Sequence, residues 1–101
     1  MANEGVVIVT GANRGIGRAL AREIAAAGWP VAMVGRDLEK LEAARAELPQ
    51  TSAARCYAAD VSDWDQVQSV VGQIQEDWPA VHGLVNNAGI TRDGLLMRME
   101  D

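Results

Sequence analysis

A glycine-rich segment directly after an apolar run has the residue types and spacing of a phosphate-binding turn. Residues 10–17 read T-G-A-N-R-G-I-G and follow the run G-V-V-I-V at residues 5–9. Such a run predicts a strand that is buried on both faces. Glycines at a strand–helix junction allow a tight turn and let backbone N–H groups approach a pyrophosphate. The pattern therefore predicts a dinucleotide-binding turn, with one residue more than the usual G-x-G-x-x-G spacing.

Alternating strands and helices follow this turn and could position it. The sequence predicts strands at 5–10, 31–34, 53–59 and 81–86, helices at 15–27, 37–48 and 62–78, and the first turns of a fourth helix at 94–101. Strict alternation of this kind predicts a parallel sheet with right-handed crossovers. The third strand is the least apolar, so we expect it near an edge of the sheet.

Two helix starts and one helix face can be predicted in more detail. Asp37 is placed to cap the second helix, and Ser62 with Asp65 resembles a capping box for the third. Helical spacing predicts an inward stripe on the first helix. Its members are Ile16, Leu20, Ile24 and Ala27.

A second motif, N-N-A-G at residues 86–89, follows the predicted fourth strand. Together the two motifs resemble the short-chain dehydrogenase/reductase family. Residues 89–99, G-I-T-R-D-G-L-L-M-R-M, are similar to the corresponding segment of its 3-oxoacyl-[acyl-carrier-protein] reductases. The resemblance implies an α/β, Rossmann-type parallel sheet with strand order 3-2-1-4 and helices on both faces. This is half of a doubly wound fold, and we expect residues 1–101 to form one such half-domain.

The resemblance also implies which residues bind a cofactor. The pyrophosphate cradle would be formed by Gly11, Gly15 and Gly17, although Gly17 could alternatively serve only the close packing of helix on strand. Asn13, Arg14 and Ile16 belong to the same cofactor-binding turn. An acid after the second strand would indicate NAD, whereas a base there would accommodate the 2′-phosphate of NADP. This sequence has Gly35 and then Arg36, and with Arg14 nearby two cations would flank the 2′-phosphate, which favours NADP(H). Asp37 is better explained as the helix cap.

Further cofactor contacts are implied after the third and fourth strands. In the family, an aspartate at the position of Asp60 accepts a hydrogen bond from the adenine amine, and the residue at Val61 lines the adenine pocket. Asn87, Ala88 and Gly89 would line the groove beside the ribose and nicotinamide. Asp60 could alternatively be an ordinary turn residue.

No catalytic residue is expected within these 101 residues. Family members are more than twice as long, and the resemblance implies a serine and a Tyr-x-x-x-Lys pair beyond residue 101. The single tyrosine, Tyr57, lies in a predicted strand, with Val61 where the lysine would be needed. We therefore expect the NADP(H)-binding N-terminal portion of a 3-oxoacyl-[acyl-carrier-protein] reductase-like oxidoreductase. The alternative is a non-catalytic half-Rossmann module, truncated or engineered, that binds nucleotide or self-associates.

Composition limits the remaining possibilities for partners and location. A net charge of −5 disfavours nucleic acid, and no apolar run is long enough to cross a membrane. His82 is solitary, so no metal site is expected, and Cys56 is expected to be a small core residue. We expect a cytoplasmic protein that forms a homo-oligomer, or pairs with a complementing chain, through its fourth strand.

Overall fold

Four parallel strands form one sheet in a computed structural model that describes residues 5–12, 15–49 and 53–86. The strands are β1 (Gly5–Thr10), β2 (Val31–Gly35), β3 (Ala54–Ala58) and β4 (Ala80–Asn86). The helices are α1 (Gly15–Ala26), α2 (Leu38–Arg45) and α3 (Trp64–Asp77). The order β3-β2-β1-β4 confirms the predicted topology and places β3 at an edge. The helix expected at 94–101 lies outside the described residues.

Alternate side chains of the central strands enter two apolar clusters, one on each face of the sheet. Val7 and Met33 belong to the cluster that packs under α1 and α2. Ile8 and Val34 belong to the opposite cluster, which α3 covers. Because both faces are covered, β1 and β2 are apolar at nearly every position. Helices on both faces of the sheet are thereby confirmed.

The face that α1 presents to the sheet differs from the predicted stripe by one residue. Its buried residues are Gly17, Ala21 and Ala25. Ile16, predicted to point inward, is 69% exposed, and Ala27 lies beyond the helix on the surface. Small side chains let α1 approach the sheet closely, so the contact line follows the small residues rather than the larger aliphatic ones.

The N-terminal cap of α3 is Asp63, so the capping box predicted for Ser62 and Asp65 is wrong by one position. The Asp63 carboxylate accepts hydrogen bonds from the backbone N–H groups of Asp65, at 3.0 Å, and Gln66, at 3.3 Å. The Ser62 hydroxyl cannot serve as the cap because it donates to Asp60 instead. The capping pattern is therefore D-x-x-Q, in which the Gln66 side chain also contacts Asp63.

The ladder between β1 and β4 contains a bulge near its start. Val6 lies opposite Val81, whereas Val7 lies opposite Gly83. His82 is therefore an extra residue in β4, and regular pairing resumes beyond it. Bulges of this kind change the alternation of side chains between the two faces of a sheet.

Candidate functional site

The loops that follow β1, β2 and β3 meet at one edge of the sheet, where the carboxyl ends of the parallel strands lie. The N–H of Gly11 donates to the carbonyl of Val34 at 2.8 Å, which ties the glycine turn to the end of β2. The N–H of Ala59 donates to the carbonyl of Gly35 at 2.8 Å, which ties the end of β3 to the same point. Ligands of open α/β sheets bind at this edge.

Two described glycines of the turn have the backbone conformation that a tight turn favours. Gly11 and Gly15 have positive φ angles of 64° and 58°, a region that favours glycine. A Cβ atom built on Gly15 would meet no described atom within 4 Å, so the space beside this backbone is open. The first turn of α1 contains no acidic residue, which keeps this helix N-terminus suited to an anion.

Ile16 and Gly17, both predicted to bind the cofactor, differ in burial. Gly17 is buried and serves the close packing of α1, which was one of its two expected roles. Ile16 is exposed in the first turn of α1, next to the glycine turn. Its exposure contradicts the predicted core role and leaves its side chain available at the candidate site. Thr10 is buried, and its hydroxyl donates to the carbonyl of Val85 at 3.4 Å, linking β1 to β4 beneath the turn.

At the end of β2, the basic side chain is exposed, whereas the carboxylate of its acidic neighbour caps a helix. Asp37 caps α2 by accepting a hydrogen bond from the Lys40 N–H at 3.2 Å, as the sequence predicts. Arg36, between Gly35 and this cap, is exposed. The end of β2 therefore offers a guanidinium to a ligand, and the neighbouring carboxylate is committed to the helix.

Asp60 and Val61 follow β3 at the same edge. The Asp60 carboxylate accepts hydrogen bonds from the backbone N–H and the hydroxyl of Ser62, at 3.0 and 2.7 Å. These bonds, with a smaller contribution from the positive charge of Arg36, hold the pKa of Asp60 below its ordinary value. Val61 is half-buried and packs against the cluster under α3. The turn thus combines an ionised acceptor with an apolar neighbour.

Five of the predicted cofactor residues lie outside the described residues. They are Asn13, Arg14, Asn87, Ala88 and Gly89. The described structure therefore brings together Gly11, Gly15, Arg36 and Asp60 at one edge. Sequence reasoning missed Gln66, whose side-chain oxygen accepts the Asp60 N–H at 2.7 Å. The D-x-x-Q spacing from Asp63 was the signal that could have drawn attention to it.

A groove lies elsewhere among the described residues, along the end of α3 and the start of β4. Its volume is about 650 Å³, and its lining includes Trp78, Val81 and His82. The His82 ring also stacks on Trp29, with 3.9 Å between ring centroids. This groove extends toward the amino ends of the strands, where parallel α/β sheets do not bind their ligands. We therefore assign the candidate site to the carboxyl edge.

Tyr57 is engaged in a structural hydrogen-bond network. Its hydroxyl donates to the Asp77 carboxylate at 2.7 Å and accepts from the Trp78 indole N–H at 3.1 Å. Burial, followed by the hydrogen bond to Asp77, raises the pKa of Tyr57 to about 12. A phenol held in this way between β3 and the end of α3 is poorly suited to donate a proton to a substrate.

Among the described helices, none is long and apolar enough to cross a membrane.

Comparison with known proteins gives a consistent family relationship. A family model described as short chain dehydrogenase matches residues 5–101. Sulfoacetaldehyde reductase of Chromohalobacter salexigens is 44% identical over 84 residues, which are 83% of this chain and 33% of that protein. A 3-oxoacyl-[acyl-carrier-protein] reductase of Staphylococcus aureus is 41% identical over 96 residues, covering 93% of this chain and 39% of the reductase. The chain thus spans between a third and two fifths of these relatives.

Solved structures share the fold. The crystal structure of a metagenomic short-chain oxidoreductase in complex with NADP superposes with a TM-score of 0.82 at 36% identity. The match covers 88% of this chain and 41% of that oxidoreductase.

Proposed function

This chain belongs to the short-chain dehydrogenase family, and we propose that residues 1–101 bind NADP(H) as the cofactor-binding portion of an oxidoreductase. The observation that carries the proposal is the end of β2, where Arg36 is exposed and Asp37 is committed to capping α2. A guanidinium at this position favours a 2′-phosphate, whereas a free carboxylate would favour the ribose hydroxyls of NAD. The NADP complex of a similar oxidoreductase supports the same choice of cofactor.

The described residues fit the remaining parts of such a cofactor. The open space beside Gly15 and the N-terminus of α1 suit a pyrophosphate. Asp60 offers an ionised acceptor to the adenine amine, and Val61 offers an apolar contact to its ring. Gly11 and Gly17 complete the proposed pyrophosphate cradle, Arg14 is proposed to lie beside the 2′-phosphate with Arg36, and Asn13 and Ile16 complete the cofactor-binding turn. Asn87, Ala88 and Gly89 form the proposed site for the ribose and nicotinamide.

The bound nicotinamide would supply hydride chemistry, and this chain's residues would bind and orient the cofactor. We propose no catalytic residue among them, since Tyr57 is held by Asp77 and Trp78. By the similarity of residues 89–99, the substrate class we propose is a 3-oxoacyl thioester carried on acyl carrier protein. Relatives of similar identity include a sulfoacetaldehyde reductase, so family membership alone does not select this substrate. The alternative is a nucleotide-binding module without catalysis.

The test of the cofactor is a fluorescence titration of the Arg36→Ala variant with NADPH and NADH. Loss of a hydrogen bond to a charged group should weaken NADPH binding by about 10- to 100-fold and leave NADH nearly unchanged. Arg45→Ala is the matched control, because it removes the same charge from an exposed side chain on α2 that pairs with Glu42. Equal losses for NADPH and NADH in the Arg36 variant would refute the assignment to NADP.

The two candidate functions differ in turnover. The purified 101-residue chain should bind NADPH without oxidising it in the presence of an acetoacetyl thioester, because its described residues include no suitably placed proton donor. Steady oxidation after rigorous removal of host reductases would show that this chain carries a catalytic residue that we have not assigned.

A further inference from the structure

We propose that Ser62 and Gln66 are positioning residues that hold Asp60 in the orientation needed to accept a hydrogen bond from the adenine amine. The inference rests on the proposed function and extends it to two side chains of the β3–α3 turn. We call the hydrogen bonds that Asp60 makes with Ser62 and Gln66 the Asp60 brace.

The first half of the brace fixes the Asp60 carboxylate. One oxygen, Oδ1, accepts both the Ser62 N–H at 3.0 Å and the Ser62 hydroxyl at 2.7 Å. The other oxygen, Oδ2, has no hydrogen-bond partner among the described residues. Two donors on one oxygen limit rotation of the carboxylate, so the second oxygen keeps a fixed direction. An amine donor such as that of adenine requires an acceptor of this kind.

The second half of the brace fixes the Asp60 backbone. The Asp60 N–H donates to the Gln66 side-chain oxygen at 2.7 Å. The Gln66 amide in turn donates to the Asp63 carboxylate at 3.1 Å, so the first turn of α3 orients it. The carbonyl of Asp60 accepts the Asp63 N–H at 2.9 Å. Both backbone polar groups of Asp60 are therefore tied to the start of α3.

Helix capping does not account for the Ser62 contribution. Asp63 already accepts hydrogen bonds from two N–H groups of the first turn of α3. The Ser62 side chain is exposed and reaches away from the helix to Asp60. Its removal should therefore change the orientation of the Asp60 carboxylate more than it changes the stability of α3.

The test compares NADPH with nicotinamide hypoxanthine dinucleotide phosphate in its reduced form, in which a carbonyl oxygen replaces the adenine amine. The parent chain should bind NADPH about 10- to 100-fold more tightly, because the adenine amine donates to an ionised carboxylate and a hydrogen bond to a charged group contributes about 1.5–3 kcal/mol. In Ser62→Ala this preference should fall toward equality, and Ser62→Thr, which keeps a hydroxyl, should restore it. Gln66→Ala should also reduce the preference.

Ser69→Ala is the control, because it makes the same change at an exposed position of α3. It should keep the parent preference, and circular dichroism should show that all variants fold. An undiminished preference in Ser62→Ala or Gln66→Ala would remove that residue from the brace. Equal binding of both nucleotides by the parent would overturn the inference while nucleotide binding itself stands. A parent that binds neither nucleotide would overturn the proposed function, and the inference with it.

Discussion

Replacing Gly15 with alanine should weaken nucleotide binding strongly and leave a folded protein. The φ of Gly15 is 58°, and a residue with a Cβ atom in that region costs about 1–2 kcal/mol. No described atom lies within 4 Å of the added Cβ, so we expect no steric cost beyond this backbone strain. For a domain of this size, each kcal/mol lowers the Tm by about 4–8 °C. The variant should therefore fold with a moderately lower Tm.

The effect on binding should be larger than the effect on folding. The added methyl group would occupy the open space that we assign to the pyrophosphate, and hydrogen bonds from backbone N–H groups to the phosphates would lengthen. A hydrogen bond to a charged group contributes about 1.5–3 kcal/mol, so losing one should weaken NADPH binding by about 10- to 100-fold. Fluorescence titration at a temperature well below both Tm values measures this loss.

Gly72→Ala provides the matched control for Gly15→Ala. Gly72 lies within α3, and a Cβ atom there would also meet no described atom within 4 Å. The replacement should raise the free energy of unfolding by about 0.5–1 kcal/mol and leave NADPH binding unchanged. Parent-like affinity in Gly15→Ala would refute our placement of the pyrophosphate. Loss of binding in both variants would refute the view that the two glycines have different roles.

Three further predictions concern stability, reactivity and association. Tyr57→Phe should lower the free energy of unfolding by about 1–2 kcal/mol in urea titrations, since Asp77 and Trp78 each lose a partner. The folded-state pKa of Tyr57 is raised from 10.0 to about 12, so the hydroxyl's contribution to the free energy of unfolding is complete below pH 10 and is lost as the pH rises toward 12. The Phe variant should lack this pH-dependent loss of stability. Burial raises the pKa of Cys56 to about 11, so its thiol should react with iodoacetamide at pH 8 much more slowly than free cysteine, and an equal rate would contradict this. The 101-residue chain should self-associate at micromolar concentration, because β4 pairs with only one neighbour among the described strands and Val81 on it is 46% exposed. An unpaired strand edge of this kind can pair with another chain. A monomeric mass measured by light scattering would contradict this prediction.

The strand order and the two-faced core could be predicted because they depend on features that the sequence states directly. Apolar runs such as 5–9 require cover on both faces, and the two glycine motifs identify the family and hence its topology. The low apolar content of β3 correctly indicated an edge position. The cap at Asp37 was predictable as well, since an aspartate directly before a helical stripe has few other local roles.

The details that depend on competition between neighbouring side chains could not be predicted. Ser62 and Asp63 are both good helix caps, and the choice between them depends on Asp60, which takes the Ser62 hydroxyl. The phase of α1 depends on how closely the helix can approach the sheet, which favours Ala21 and Ala25 over the larger Ile16 and Leu20. The spacing of hydrophobic residues alone indicates neither the hydrogen bond between Ser62 and Asp60 nor how closely α1 approaches the sheet.

Because of the bulge at His82, the two ends of β4 differ in how well they tolerate the insertion or loss of a residue. Beyond the bulge, Leu84 and Val85 keep opposite faces of the sheet, and Thr10 stays opposite Asn86. An extra residue accommodated near the start of the strand therefore leaves the end beside the glycine turn in register. Related chains could gain or lose a residue between α3 and Gly83 without moving the edge that holds the candidate site, whereas an insertion after Gly83 would displace this edge.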